Sequence, residues 1–372
     1  MISGFQIKNF KCFEDLSLTL GHLTLLTGFN GGGKSTAIQP LLLLSQNMRL
    51  SNVPTNYALN GVLAQLGTVG DVLPSDVSTA PVEFFVRQEL ATLRWSFLAR
   101  AGDRFLSVKT KDVIADSLSV REEWNVKREI ERALSKLIYI SAVREGTADA
   151  FPSPNVSDDE FSTIGVDGRF ASYWYDQMAD EEVSAERRHP KESAGTFRKQ
   201  VDAWMGALFH GAQANVQALP QVSLLCLQFR LSEIGPWRRP ANIGYGLTYA
   251  FPILVALLTA RKGQVVIVDS PEAHLHPSAQ SEMGRILAHF AGAGVQIVVE
   301  THSDHLLNGA RLAVKEGRLP HSLLQIHFFS GATHDGHGVI SPTVDSDGRI
   351  YEWPAGFFDQ SEKDFSLLTG WE

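Results

Sequence analysis

One stretch near the start of the chain, Leu25-Leu26-Thr27-Gly28-Phe29-Asn30-Gly31-Gly32-Gly33-Lys34-Ser35-Thr36, restricts the fold more than any other. An apolar run ends at Gly28, four residues intervene, and Gly33-Lys34-Ser35 follows, which is the spacing G-x-x-x-x-G-K-[ST]. Glycines at these positions let successive backbone N–H groups curl around a phosphate, and a helix starting near Lys34 aims its positive end at the same anion. His22–Thr27 reads as a buried strand, and Ala37–Leu44, in spite of Pro40, as the start of an apolar helix. Strand, loop and helix therefore come in the order that a phosphate-binding loop requires. On this reading Gly28, Asn30, Gly31, Gly32, Gly33, Lys34, Ser35 and Thr36 line a nucleotide. Lys34 would bridge its β- and γ-phosphates, and the Ser35 hydroxyl would hold Mg²⁺.

Such a loop needs a carboxylate near the metal, and Gln264-Val265-Val266-Ile267-Val268-Asp269 supplies one at the end of an apolar strand. A second apolar strand, Gln296–Glu300, delivers Thr301-His302 to the same edge, where His302 could sense a γ-phosphate. Asn242-Ile243-Gly244-Tyr245-Gly246-Leu247-Thr248-Tyr249 is another glycine-rich turn that feeds an apolar helix, Ala250–Thr259. Taken alone it reads equally as the glycine entry of a core helix. Gln65 sits in the glycine-punctuated loop 59–71, where its side-chain oxygen could reach metal or water, although an exposed loop glutamine is its default reading. Phe10, Lys11 and Phe13 are the local candidates for stacking on a base, although core packing suits either ring better.

Composition narrows the setting. Against 41 Asp plus Glu the chain has 33 Lys plus Arg, a net charge of −8, which argues against a surface coated for nucleic acid while leaving a local basic groove open. The densest basic patch, Arg187, Arg188, His189 and Lys191, is surrounded by acids and reads as a mixed solvated face. The two cysteines, Cys12 and Cys226, make no disulfide framework, so a cytoplasmic location is expected. No leader-like segment is read at Met1, and the apolar runs around Leu41 and Ile253 are too short and interrupted to span a bilayer, so no membrane partner is expected.

The alternating segments 2–8, 16–20, 81–87 and 93–99 predict antiparallel strands around the phosphate loop. Val120–Leu137, 170–184 and 196–210 predict helices, and 145–166 reads as a Pro-, Ser- and Asp-rich excursion. The expected division is an N-terminal half-head 1–104, a mostly helical insertion 105–220, a C-terminal half-head 221–320 and a small terminal domain 321–372. The fold class is α/β, with a mixed sheet core. At the C-terminus a strand at Leu324–Phe329 is followed by a strand–turn–strand at 340–353 and by the aromatic Trp353-Pro354-Ala355-Gly356-Phe357-Phe358-Asp359-Gln360. That last segment could pack back onto the sheet or form a lip for a partner.

Gly28–Thr36, Asp269–Pro277 and Glu300-Thr301-His302-Ser303-Asp304 together resemble the ABC-type ATPases of the RecF, SMC and OLD-nuclease kind. The match is nearest to a stand-alone bacterial group in which the head ends in a small uncharacterised domain. The resemblance implies ATP and Mg²⁺ as cofactors, with the metal on Ser35 and Asp269. It implies Asn242–Thr248 as the signature loop, which reaches a partner's γ-phosphate through Gly244, Gly246 and Thr248 in an ATP-dependent homodimer. His302 would be the switch histidine. Such heads carry a glutamate directly after the metal aspartate, whereas this chain has Ser270, so the catalytic set becomes Glu272, His302 and Lys34 and slow turnover is expected. The implied function is an ATPase regulator or sensor, in antiphage defence with a separate nuclease or toxin effector. The alternatives are a RecF-like repair ATPase that binds DNA, and an ATP-dependent scaffold with negligible hydrolysis.

Overall fold

The computed structural model describes residues 1–51, 54–74, 80–89, 91–115, 119–154, 163–333 and 336–369. Part of the expected excursion, 155–162, lies outside the described residues. The chain opens with β1 (Gly4–Phe10), β2 (Phe13–Thr19) and β3 (Leu23–Gly28), and then α1 (Lys34–Leu50). β4 (Asn56–Ala58), β5 (Val82–Gln88), β6 (Ala91–Leu98) and β7 (Phe105–Ile114) follow, then α2 (Val120–Ser135) and β8 (Ile138–Ile140). Next come β9 (Ala150–Pro152), α3 (Ala171–Met178), α4 (Phe197–Leu208), β10 (Gln213–Leu219) and β11 (Leu224–Arg230). α5 (Tyr245–Thr259), β12 (Val265–Asp269), α6 (Pro277–Gly292), β13 (Gln296–Glu300) and α7 (Asp304–Lys315) complete the head. β14 (Leu324–Thr333), β15 (Gly336–Ile340) and α8 (Gln360–Thr369) end the chain.

Two six-stranded sheets carry the fold. The first, ordered β2-β1-β5-β6-β7-β4, is antiparallel throughout. The second, β15-β14-β3-β13-β12-β8, is parallel except for the β15 edge. Its alternating side chains feed two cores. Leu25, Val266, Val268, Ile297 and Val299 join α3 to α7 on one face, while Leu26, Val265, Ile267 and Val298 join α1, α2 and the antiparallel sheet on the other. A strand buried on both faces reads as an unbroken apolar run, which is why β12 and β13 lack a period-two signal.

Helix α1 is buried along nearly its whole length, from Ala37 to Met48. Pro40 interrupts its hydrogen-bond ladder at a cost of roughly 3 kcal/mol. Burial of Leu41, Leu42, Leu43 and Leu44, at about 1.5–3 kcal/mol each, outweighs that cost and keeps the helix intact.

The start of the insertion differs from the sequence reading. β7 pairs with β6 and β4, and β8 pairs in parallel with β12, so both strands are built into the two sheets of the head. α3 and α4 with the small antiparallel sheet β10-β11-β9 pack into the core on the α5–α7 face of the parallel sheet. Phe105–Val108, readable in the sequence as an extension of the preceding strands, begins β7, which runs on to Ile114 with most of its side chains half-exposed or exposed. The last strand pair also shifts: β14 and β15 form the hairpin, while 344–350 makes a single bridge closed by Asp345 and Gly348. Among the described residues, no helix is long and apolar enough to cross a membrane.

Candidate nucleotide site

The phosphate loop is shaped by three glycines in the left-handed region, Gly28 (φ 128°), Gly31 (φ 74°) and Gly33 (φ 101°). Space forbids a side chain as well: a Cβ at Gly28 would lie 2.2 Å from the Phe329 carbonyl, and one at Gly33 would lie 2.5 Å from the Phe13 ring. Phe13 therefore wedges under the loop, and Phe10 is buried like it, so both rings serve the core. Lys34 is only 4% exposed, and its Nζ donates to the carbonyls of Gly28 (3.0 Å) and Phe29 (2.9 Å). Helix α1 has no side-chain cap and no acid in its first turn. Its free N–H groups and the neighbouring ammonium suit a phosphate.

Strand register brings the acids to this loop. β12 and β13 run parallel with Asp269 paired to Glu300, and Glu300 is paired in turn to Leu26 of β3. The Ser35 hydroxyl donates to Glu300 Oε1 at 2.8 Å, and the Ser270 hydroxyl donates to Asp269 Oδ1 at 2.8 Å. Burial, followed by the adjacent Asp269, pushes the Glu300 carboxyl up to about 7. Burial lowers the Lys34 ammonium, with Glu300, Asp269 and Glu272 opposing that shift. Crowded carboxylates beside a hydroxyl fit a hard cation. No group of three or more His, Cys, Asp or Glu among the described residues could hold a metal by itself, so Mg²⁺ held by Ser35 and Asp269 would need phosphate oxygens to complete its shell.

After Asp269 the chain makes a strained turn. Ser270 (φ 48°) and His274 (φ 61°) are non-glycine residues in the left-handed region, worth on the order of 1–3 kcal/mol each. The turn is closed by Ala273 N–H donating to the Ser270 carbonyl at 3.1 Å. It aims Glu272 at the segment that follows β13, where Oε1 accepts the His302 N–H at 2.7 Å. Glu272 does not cap the following helix, since α6 begins at Pro277 and the His276 side chain accepts the Ser278 N–H. Burial raises the Glu272 carboxyl. His302 has an exposed side chain, and burial and then Lys34 lower its imidazole.

The structure also gathers Arg144, which sequence reasoning passed over. Arg144, 4% exposed, donates from Nη2 to the carbonyls of Asp269 and Ser270 (2.8 Å for the latter) and from Nε to that of Ser141. Its guanidinium lies 5.3 Å from the centre of the Tyr249 ring on α5. Burial lowers the guanidinium to about 10. Gln65 lines a cavity of about 120 Å³ together with Ser35, Gln39, Tyr139 and Glu300. Two buried side chains of α1 hold that loop: Gln46 accepts the Ala64 N–H at 3.0 Å, and Asn47 accepts the Ala58 N–H at 2.7 Å. The reach of Gln65 toward the site depends on these contacts, which its own neighbours in sequence do not reveal.

The glycine-rich turn 242–248 is shorter than its sequence implied. α5 starts at Tyr245 with Gly244 as an N-cap lacking any side-chain hydrogen bond, and both residues are exposed. Gly246 is buried, with His274 O only 3.0 Å from a Cβ built there. Thr248 is 3% exposed and its hydroxyl donates to the Tyr245 carbonyl at 2.9 Å. The open helix end is thus at Gly244, and Thr248 presents no hydroxyl to a second chain. His274 stacks on Tyr245 (5.3 Å) and meets Tyr249 edge-on (4.6 Å), which joins this helix to the strained turn.

A parallel sheet, a glycine loop feeding α1 and two strand-end carboxylates define a P-loop ATPase head. Residues 23–308 match the family described as "AAA domain, putative AbiEii toxin, Type IV TA system", and the chain belongs to that family. Residues 319–368 match a "Protein of unknown function (DUF3696)". The chain is 24% identical over 338 residues to an OLD nuclease from Thermus scotoductus, covering 82% of this chain and 59% of that protein. It therefore spans about three-fifths of that relative's length. An SMC head bound to the C-terminal winged-helix domain of ScpA is similar with a TM-score of 0.53, at 11% identity, over 92% of this chain and 98% of that one. An SMC head with an extended coiled coil, derived from Pyrococcus furiosus, gives 0.51 at 11% identity, over 99% and 98%. The fold is that of an SMC head, and the family places the chain among the AAA-type ATPases.

Proposed function

We propose that the protein binds ATP with Mg²⁺, hydrolyses it slowly, and acts as a nucleotide-gated homodimer that regulates a separate nuclease or toxin in antiphage defence. The observation that carries the nucleotide part is the convergence of Lys34, Ser35, Asp269 and Glu300 on one sheet edge. Lys34 would exchange its two carbonyls for β- and γ-phosphate oxygens, and the N–H groups at the start of α1 would hold the phosphate. Mg²⁺, when bound, neutralises charge on the transferring phosphoryl group. Ser35 and Asp269 would hold the metal, with Glu300 accepting from Ser35. Glu272 would orient and deprotonate the water, and His302 would donate to the γ-phosphate. Ser270 has no acid–base capacity at neutral pH, which supports slow turnover. The gating role is supported by the exposed N-terminus of α5, an anion site outside the chain's own phosphate loop. The defence role is supported by the family's description and by the OLD nuclease relative.

Calorimetric titration with Mg·ATP tests the nucleotide reading. The unmodified protein should bind, Lys34→Ala should bind at least ~100-fold more weakly with an unchanged fold, and Asp269→Asn should lose mainly the Mg²⁺-dependent part. Equal affinities in all three would end the reading. Salt-sensitive binding to DNA ends would favour the RecF-like alternative.

A further inference from the structure

The terminal segment Trp353–Gln360 lies against the phosphate loop. Phe29, the loop's second residue, is 49% exposed, yet its ring is held from beneath. It meets Phe328 of β14 edge-on at 5.6 Å, and a Cβ on Gly356 would come within 2.6 Å of Phe29 Cζ. Gly356 also has φ 82°, so glycine is required there twice over, by conformation and by contact. Phe357 is fully buried, 5.3 Å from the Phe328 ring and 4.8 Å from that of Trp353. Trp353 Nε1–H donates to the Phe357 carbonyl. Asp359 accepts the Gly356 N–H at 2.8 Å and pairs with Lys363. The guanidinium of Arg311 on α7 sits 5.4 Å from the Trp353 ring centre, and its Nε donates to the Gly348 carbonyl at 2.8 Å. The segment is thereby fastened to the loop, to β14 and to the helix that follows the switch histidine.

We propose that Trp353–Gln360 is a strut of the nucleotide site, which positions the phosphate loop through the Phe29 ring. The same Phe29 residue donates its N–H to Phe329 and accepts Lys34 Nζ on its carbonyl. Holding its ring therefore holds the peptide on which the lysine rests. Gly31, Gly32 and Gly33 leave the loop conformationally free, and ordering such a segment costs conformational entropy. An anchor at its first turn removes part of that cost before the nucleotide arrives, so the strut acts on binding and leaves the chemical step alone. Plain terminal packing could have used any apolar strip of the sheet; this contact falls on the loop itself. The inference rests on the nucleotide reading, and its test is arranged to fail separately.

Two readouts on the full chain decide it: Mg·ATP affinity, and hydrogen exchange of the Gly31–Ser35 amides without nucleotide. Gly356→Val should weaken ATP about tenfold and speed exchange of these amides, with single-turnover hydrolysis of bound ATP unchanged. In a Phe29→Ala background, Gly356→Val should add nothing to either readout, because the ring it displaces is gone. Trp353→Ala, at a position 41% exposed, should reproduce the loosening if Gly356→Val fails to fold. Unchanged exchange and affinity, or effects that add fully to those of Phe29→Ala, would overturn the strut. An unmodified protein that ignores ATP would refute the nucleotide reading, and the exchange readout would then decide the strut by itself.

Discussion

The Ser35 hydroxyl and the Glu300 carboxylate, 265 residues apart in sequence, are joined by a 2.8 Å hydrogen bond. That bond links the residue expected on the metal to the end of β13, two residues before His302.

The pH dependence of Glu300 follows from its surroundings, with Asp269 and Glu272 on the acidic side and Lys34 on the basic side. A carboxyl raised to about 7 favours the protonated form in the folded state. Its stabilising contribution is present below the ordinary carboxylate range and is lost as pH rises through about 7. The unfolding free energy without nucleotide should therefore fall between pH 5 and 8 by on the order of 1–3 kcal/mol, visible as a falling thermal midpoint, and Glu300→Gln should flatten that fall. Mg·ATP binding near pH 7 should release a proton, visible as a binding enthalpy that varies with the buffer. A midpoint equally steep in Glu300→Gln would remove this group from the account.

Turnover should depend on Glu272. Glu272→Gln keeps an acceptor for the His302 N–H but not a base, so single-turnover hydrolysis should drop about 10²-fold or more with ATP affinity nearly unchanged. Ser270→Glu restores a carboxylate directly after Asp269 and should speed hydrolysis. Equal rates in the unmodified protein and Glu272→Gln would exclude Glu272 as the base.

Arg144 should act by position. Its guanidinium holds two carbonyls of the Asp269 turn and packs on Tyr249, so Arg144→Ala leaves buried acceptors unpaired at roughly 1–3 kcal/mol each. Arg144→Lys should fold better, bind ATP nearly as before, and hydrolyse it about tenfold more slowly. A purely structural role would instead leave the rate per folded molecule intact in Arg144→Lys.

The parts of the site legible in the sequence are those written locally. Glycine spacing marked Gly28–Lys34, and an apolar run ending in an acid marked Asp269. Glu300 was visible as a strand end, but its place beside Asp269 and Ser35 comes from the register of β3, β12 and β13. Arg144 was not legible as a site residue, because backbone carbonyls from distant segments bring it in, while Gln65 could be named from its loop but not placed, since α1 side chains hold that loop. The signature turn was read as too long, since Gly246 looks like loop and is in fact a helical glycine packed under His274. The terminal aromatic segment offered two readings, and the observed one turns it inward onto β14 and the loop.

Sedimentation tests the gated dimer most directly. The protein should be measured with Mg²⁺ alone and with Mg²⁺ plus a non-hydrolysable ATP analogue, alongside Gly244→Asp. Gly244 is exposed, and a Cβ there meets nothing within 4 Å, so the substitution should fold normally while placing a negative charge at the open end of α5. The account predicts a shift to dimer, or a markedly tighter dimer, only with the analogue and only in the unmodified chain. A protein that binds the analogue yet sediments identically with and without it would contradict the nucleotide-gated dimer.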